Sequence, residues 1–415
     1  MSRRVILTTP YWSLNGVNAF SSDLAEGLRE KGYSATLLLT DPGAYQRVPM
    51  PPPEGVKLEI LSADTRLSIK QRREALRAYL ENRAPCIYLP NYDYNTSCIA
   101  PQLSPKIKAV GIVHSDDPEH YEHVRRLGKS WDAVVSVTEV IRRKVNEKNP
   151  DIRNRSIRIP YGVPATMERN KSTRGEGPLR IIYAGRMAQY QKKVFDLPAI
   201  AQRLAERGVF CEWTLAGDGI DREKLEKKFK TIQGRGGEVR FLGTINRKDL
   251  RRLFQQQDLF LLTSSFEGLP IALLEAMSEG CIPVAARTES GASELVRSGE
   301  NGYLINTGDI EGYAEKIEAL FHAAAERDRM SAAAQKTVEQ NYCREKMIGA
   351  YIKLFEDLDL AEGCPRRLSG TVLPPPLWPS DWSRIPSLCK IAWQHLQKRV
   401  HKKLLPLKPQ NTRQK

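Results

Sequence analysis

Short apolar runs alternate with longer segments whose apolar residues recur every three or four positions, and the alternation starts twice along the chain. Val5–Thr9, Ala35–Leu39, Cys86–Leu89, Ala109–Val113, Ala133–Val137 and Ile157–Pro160 read as one set of buried strands, brief and bounded by polar residues. Leu179–Ala184, Phe210–Leu215, Val239–Leu242, Leu259–Leu262 and Cys281–Ala286 read as a second set. Between strands, Ala19–Lys31 places Phe20, Leu24 and Leu28 on one helical face and meets a stop at Gly32. Ser68–Asn82 reads as a strongly basic helix. Further helices are expected at Ile141–Lys148, from about Asp196, and at Arg247–Gln256, Gly308–Glu326, Arg327–Asn341 and Arg344–Leu360. Strands alternating with helices predict parallel sheets, so the chain reads as α/β. Residues 1–164 form the first expected domain, 165–178 a polar Gly/Pro-containing linker, and 179–342 the second domain. A terminal helix occupies 343–363, and 364–415 is a Pro-rich and then basic tail.

Ser264–Ala286 carries the densest chemistry. Pro270 suits the first position of a helix, where an amide has no helical partner to lose, and Gly280 stops that helix. Glu267 and Gly268 then lie in a strand-to-helix turn, and Glu275 lies in the second helical turn. Such turns at the C-terminal edge of a parallel sheet bind ligands, and the positive helix end favours phosphate or electron-rich hydroxyls. Gly268 would let a ligand approach the backbone. The glutamates are eight residues apart, roughly 12 Å along a helix axis. Glycosidase carboxylate pairs lie at most about 9.5 Å apart. The pair therefore fits opposite ends of one elongated ligand; the plainer reading is a turn residue and a solvated helix residue. Arg186 and Lys192 also follow a strand. They could clamp a diphosphate, the guanidinium forking two oxygens and the ammonium acting as a point charge, or be solvated surface cations. Val5–Leu39 is a β-α-β unit with Gly16 in its first loop, the setting of a phosphate site, but without G-x-G-x-x-G. Asp41, just after its second strand, keeps a nicotinamide-dinucleotide reading open.

Glu267-Gly-Leu-Pro…Glu275-Ala, followed by Gly280-Cys-Ile-Pro-Val, resembles the E-x7-E motif of family-4 retaining glycosyltransferases. Gly185-Arg186, Gly291, Glu294 and Gly302 extend the likeness, which covers roughly residues 3–360. The resemblance implies the GT-B fold, two Rossmann-like domains whose parallel sheets face each other across a cleft. It implies a nucleotide-diphosphate sugar as donor, no other cofactor, no metal, and no protein nucleophile. Arg186 and Lys192 would neutralise the leaving diphosphate. Glu275 would hold the ribose, because a carboxylate accepts two hydroxyl hydrogen bonds. Glu267 would hold the donor sugar, helped by amides near Gly268 and Leu269. Gly16 would face the donor phosphates, His114 would touch sugar or acceptor, and the nucleobase would lie near Gly243-Thr244-Ile245. The family's usual glycine after the lysine is Lys193 here, which leaves open whether Lys192 or Lys193 reaches phosphate. A lone histidine is more often structural, so both readings of His114 stand.

Composition narrows the alternatives. The 415 residues suit two or three domains, and the seven cysteines are scattered without C-x-x-C, which favours reduced thiols in a cytoplasmic protein. His114, His120 and His123 lack metal-site spacing, and Asp357-Leu-Asp359 falls inside a helical pattern. The net charge of +15 could serve nucleic acid or an anionic membrane, but no nucleic-acid motif accompanies it and none is expected to bind. Residues 382–415 carry nine Lys or Arg and no acid, with apolar residues at helical spacing. That reads either as a membrane-surface helix, placing the protein at the inner face of the membrane, or as a helix packed on the body. The expected acceptor is a hydroxyl of a glycan or lipid-linked molecule. Rival readings are a GT-B-fold epimerase or phosphorylase, or a non-catalytic basic binding protein.

Overall fold

Among the described residues every strand ladder is parallel, and the strands divide into two sheets. The computed structural model of the chain describes residues 3–41, 50–64, 66–91, 93–165, 177–232 and 237–360. The first sheet holds β1 (Arg4–Thr9), β2 (Ser34–Leu39), β3 (Lys57–Ile60), β4 (Cys86–Pro90), β5 (Ile107–Val113), β6 (Ala133–Ser136) and β7 (Ser156–Arg158). Their order is β3-β2-β1-β4-β5-β6-β7. The second sheet holds β8 (Leu179–Ala184), β9 (Cys211–Ala216), β10 (Val239–Gly243), β11 (Leu259–Leu262), β12 (Ile282–Ala286) and β13 (Tyr303–Ile305). It runs β10-β9-β8-β11-β12-β13. Both are doubly wound orders, in which the connections reverse direction beside the first strand of the sheet.

The strands are apolar because helices cover both faces of a parallel sheet. All of Leu259–Leu262 and Ile282–Ala286 are buried. Pro283 is tolerated inside β12 for a local reason. Ile282 donates its amide to Asp258 O, toward β11 (2.9 Å), so the Pro283 nitrogen faces the other way. There, pairing with β13 begins only opposite Val284.

Several expectations shift. The first helix is Gly16–Glu30, capped by the Asn15 side chain, so Gly16 opens a helix rather than sitting mid-loop. Pro270 is the N-cap of Ile271–Ser278, one position earlier than expected. The expected Gly308–Glu326 helix ends at His322, and Ala324–Asn341 follows. Strand β3 and helices Pro118–Leu127 and Arg222–Lys230 carry too few apolar residues for periodicity to reveal them, and β13, Tyr-Leu-Ile, is too short. The basic helix is Ile69–Glu81, and its Arg72 is buried, donating to Thr40 O and Asp64 O, both at 3.0 Å. Arg72 also pairs with Asp41 at 3.4 Å, so the acid that kept a dinucleotide reading open is a structural partner.

The chain crosses back at its end. Arg344–Leu360 lies on Gly16–Glu30, where a Cβ on Gly27 would fall 1.9 Å from Ile348 Cδ1. Arg344 pairs with Glu26 at 3.2 Å and Glu30 at 3.0 Å. Among the described residues no helix is long and apolar enough to cross a membrane. The basic tail of 382–415 lies outside the described residues.

Candidate active site

β8 and β11 are neighbours, but the chain leaves β8 toward β9 and leaves β11 toward β12. The loops after these two strands therefore part and open a crevice at the sheet's C-terminal edge. The β8 loop is braced from below. Tyr183 Oη donates to Arg186 O (2.8 Å), Met187 N donates to Asp218 O (2.8 Å), and Gln189 N donates to Asp221 Oδ2 (2.8 Å). Gly217 makes this close support feasible: a Cβ there would stand 2.0 Å from Gly185 O.

Arg186 is exposed and donates from Nη2 to Gln191 Oε1 at 2.6 Å. The short helix Gln189–Lys192 follows, and Lys193 beyond it is left-handed, with φ 49°. That corner belongs to glycine on steric grounds. It turns Lys192 toward the β11 loop, where Nζ lies 2.6 Å from Glu267 Oε1. The two side chains are only 17% and 7% exposed. Thr263 Oγ1 donates to Lys192 O (2.8 Å), Ser265 N donates to Gln191 O (2.8 Å), and Gln191 Nε2 donates to Phe266 O (3.1 Å). The two loops thus form one unit that presents Arg186, Lys192 and Glu267 together.

The first domain closes over this unit. Ser115 forms an isolated antiparallel bridge with Gly268, and a Cβ on Gly268 would lie 1.9 Å from His114 O. The sequence suggested a ligand's approach at Gly268, and in the fold the backbone of the first domain makes a close approach there. Gly268→Ala should lower the melting temperature, since overpacking costs about 1–3 kcal/mol. An unchanged thermal melt with weakened ligand binding would favour the ligand's approach instead. Leu269 beside it is buried. Ser290 Oγ reaches Gly268 O at 3.3 Å and Thr138 Oγ1 at 2.9 Å. Glu294 accepts from Glu139 N at 2.9 Å and from Arg158 Nε at 2.7 Å. Beside these contacts a cavity of ≈ 410 Å³ opens, lined by Glu139, Val140, Arg158, Glu289, Ser293 and Glu294.

His114 sits at the buried end of β5. Its Nδ1 is 2.6 Å from Tyr161 Oη and its Nε2 is 3.2 Å from Asn91 Oδ1, both within the first domain. Burial, aided by the neighbouring His120, holds its pKa well below the ordinary histidine value. Gly16 is exposed, and a Cβ there would lie 3.6 Å from Ile271 Cδ1. Gly16 and Ile271 each open a helix, so two positive helix ends converge at this point. Thr244 is exposed just past β10, where Gly243 O accepts from Gly217 N at 2.7 Å. Among the described residues no group of three or more His, Cys, Asp or Glu could hold a metal.

Glu275 is buried, and burial raises its pKa while Arg247 opposes the rise. Arg247 Nε donates to Glu275 Oε1. The same guanidinium forks Asp23 across the domain boundary, at 2.5 Å from Nη1 and 2.7 Å from Nη2. Burial works against the Arg247 charge, but the Glu275 and Asp23 carboxylates outweigh it and raise its pKa. Sequence reading missed both residues. One signal was present: Asp23 stands three residues after Phe20, an acid on the apolar helical face.

Residues 165–337 match the family model described as glycosyl transferases group 1. Over 220 residues the chain is 30% identical to a lipopolysaccharide core biosynthesis glycosyltransferase of Rhizobium meliloti, covering 48% of this chain and 63% of that one. Over 195 residues it is 30% identical to a sulfoquinovosyl transferase of Arabidopsis thaliana, covering 46% of this chain and 34% of the relative. The match thus spans less than two thirds of either relative. The pneumococcal O-GlcNAc transferase GtfA, solved with UDP and GlcNAc, superposes with a TM-score of 0.71 at 12% identity, over 87% of this chain and 100% of that one. At that identity the likeness speaks for the fold. The chain therefore has the GT-B fold, and its residues 165–337 resemble the group 1 glycosyl transferases.

Proposed function

We propose that the protein transfers a sugar from a nucleotide-diphosphate sugar to a hydroxyl of a glycan or lipid-linked acceptor, with retention of anomeric configuration. One observation carries this reading: Arg186 and Lys192 converge with Glu267 on the two loops that part at the switch point of the second sheet. Two cations there suit a diphosphate, and a carboxylate beside them suits sugar hydroxyls. The converging helix ends at Gly16 and Ile271 add positive potential on the facing side. Cations placed where the leaving diphosphate gains charge stabilise the transition state more than the bound donor. Glu275 takes the ribose, and the segment at Thr244 lies beside the nucleobase. His114, neutral through burial, lines the first-domain side with its backbone toward Gly268. The relatives' names favour a glycan or lipid-linked acceptor, and the cavity at Glu139, Glu289, Ser293 and Glu294 offers acceptors for its hydroxyls. No protein nucleophile is assigned; the leaving phosphate serves as base, as the family resemblance implies.

The test is hydrolysis of a panel of nucleotide sugars by the full chain, with mass detection of released diphosphate. At least one should be turned over. Glu275→Ala should weaken calorimetric binding of the matching nucleoside diphosphate, because a hydrogen bond to a charged group contributes about 1.5–3 kcal/mol. Failure of every donor, or unchanged nucleotide affinity in the variant, would contradict the assignment.

A further inference from the structure

Glu275 does not stand alone at the donor site. Its Oε1 is taken by Arg247 Nε, and Arg247 is in turn gripped by both oxygens of Asp23. The three residues come from three helices: Gly16–Glu30 of the first domain, and Arg247–Gln255 and Ile271–Ser278 of the second. Asp23 and Glu275 are 5% and 4% exposed, so neither charge could be buried there without the guanidinium between them.

An ionised carboxylate offers about four lone-pair positions. Arg247 Nε engages Oε1, which leaves Oε2 available to accept hydroxyl hydrogens. The fork to Asp23 fixes the plane of the guanidinium, which fixes the carboxylate in turn. Lysine could not reproduce this, because an ammonium presents no planar fork to two partners at once.

We propose that Arg247 and Asp23 are positioning residues for the ribose contact, and that through them the first domain sets the affinity of the second for the nucleotide. This rests on the donor reading given above. Donor affinity then depends on a carboxylate that lies across the domain boundary from the nucleotide-binding loops. The Ser115–Gly268 bridge spans the same boundary, which keeps Asp23 within reach of Arg247.

The experiment is calorimetry on the full chain with UDP, GDP and ADP, followed by the 2′,3′-dideoxy form of whichever binds most tightly. Asp23→Asn, which keeps the side chain's shape, and Arg247→Lys, which keeps its charge, are compared with the wild type. Each variant should bind the ribose-bearing nucleotide about tenfold more weakly, the loss of roughly one hydrogen bond. Each should bind the dideoxy form within about twofold of the wild type, because that ligand has no hydroxyls for Glu275 to hold. Equal weakening for both ligands would mean a structural disturbance and would overturn the inference. So would unchanged affinity for the parent nucleotide, or a wild type that binds parent and dideoxy forms alike. If the wild type binds no nucleoside diphosphate at all, the donor reading itself falls. Should Asp23→Asn fail to fold, Arg247→Lys carries the same comparison.

Discussion

Replacing Lys192 with alanine should lower kcat/KM by about 10²–10³-fold, the usual consequence of removing one preorganised electrostatic partner of a transition state. Two losses combine in this variant. The leaving diphosphate loses a cation, and Glu267 is left buried without the ammonium that lies 2.6 Å away. Lys193 is the built-in control. Its side chain is adjacent in sequence, but its φ of 49° marks it as the corner that aims Lys192. Lys193→Gly should therefore keep kcat/KM within about threefold and raise stability by roughly 1 kcal/mol, since a left-handed non-glycine residue costs about that much. Steady-state kinetics with the active donor and thermal melts of both variants read the two effects separately. If Lys193→Gly loses as much activity as Lys192→Ala, the phosphate contact belongs to Lys193.

Acid should unfold the first domain well before its carboxylates are protonated. Burial pushes His120 and His123 down to about 3 and holds His114 well below the ordinary value. In the unfolded chain each titrates near 6.5. Between these values the unfolded chain binds protons that the folded chain refuses, so stability present above about pH 6.5 is lost as pH falls toward 3. Each histidine contributes up to about 1.4 kcal/mol per pH unit, and the three together roughly 4. Burial raises the pKa of Asp93 and Glu275, which works in the opposite direction. Unfolded histidines take up protons across pH 6.5 to 5.5, so that window is where their contribution is read, against the opposing effect of those two carboxylates. Urea midpoints at pH 7.5, 6.5 and 5.5 should fall steeply across the last step. His120→Gln should remove about a third of that slope whatever it does to absolute stability. Equal midpoints at pH 7.5 and 5.5 would show that these rings are accessible to protons in the folded state.

The arrangement of strands and helices was legible along the chain because parallel sheets are buried on both faces. Each central strand must be nearly all apolar, as Leu259–Leu262 is, and that leaves an unmistakable local record. Edge strands escaped for the converse reason: Lys57–Ile60 is partly exposed and needs no such run. The turn holding Glu267 was legible too, since strand, proline and glycine punctuate it locally. Arg186 and Lys192 were placed by their position after a strand, and the resemblance to family-4 enzymes supplied the roles.

What local sequence could not decide was what each of these residues faces. Gly268 carries the mark of a close approach, but only the fold shows that His114 O makes that approach. Lys192 and Lys193 are alike in sequence, and one backbone angle separates them, because a left-handed corner sends successive side chains in different directions. Asp41 followed a strand as a ribose-binding acid would, and it was claimed by Arg72 from a neighbouring helix. Glu275 likewise read as one carboxylate awaiting a ligand. In the folded chain it shares Arg247 with Asp23, a residue 224 positions away from that arginine. Periodicity records burial, which each segment experiences by itself. Charge pairing across a domain boundary depends on which surfaces meet, and that is decided only when both domains are folded and packed.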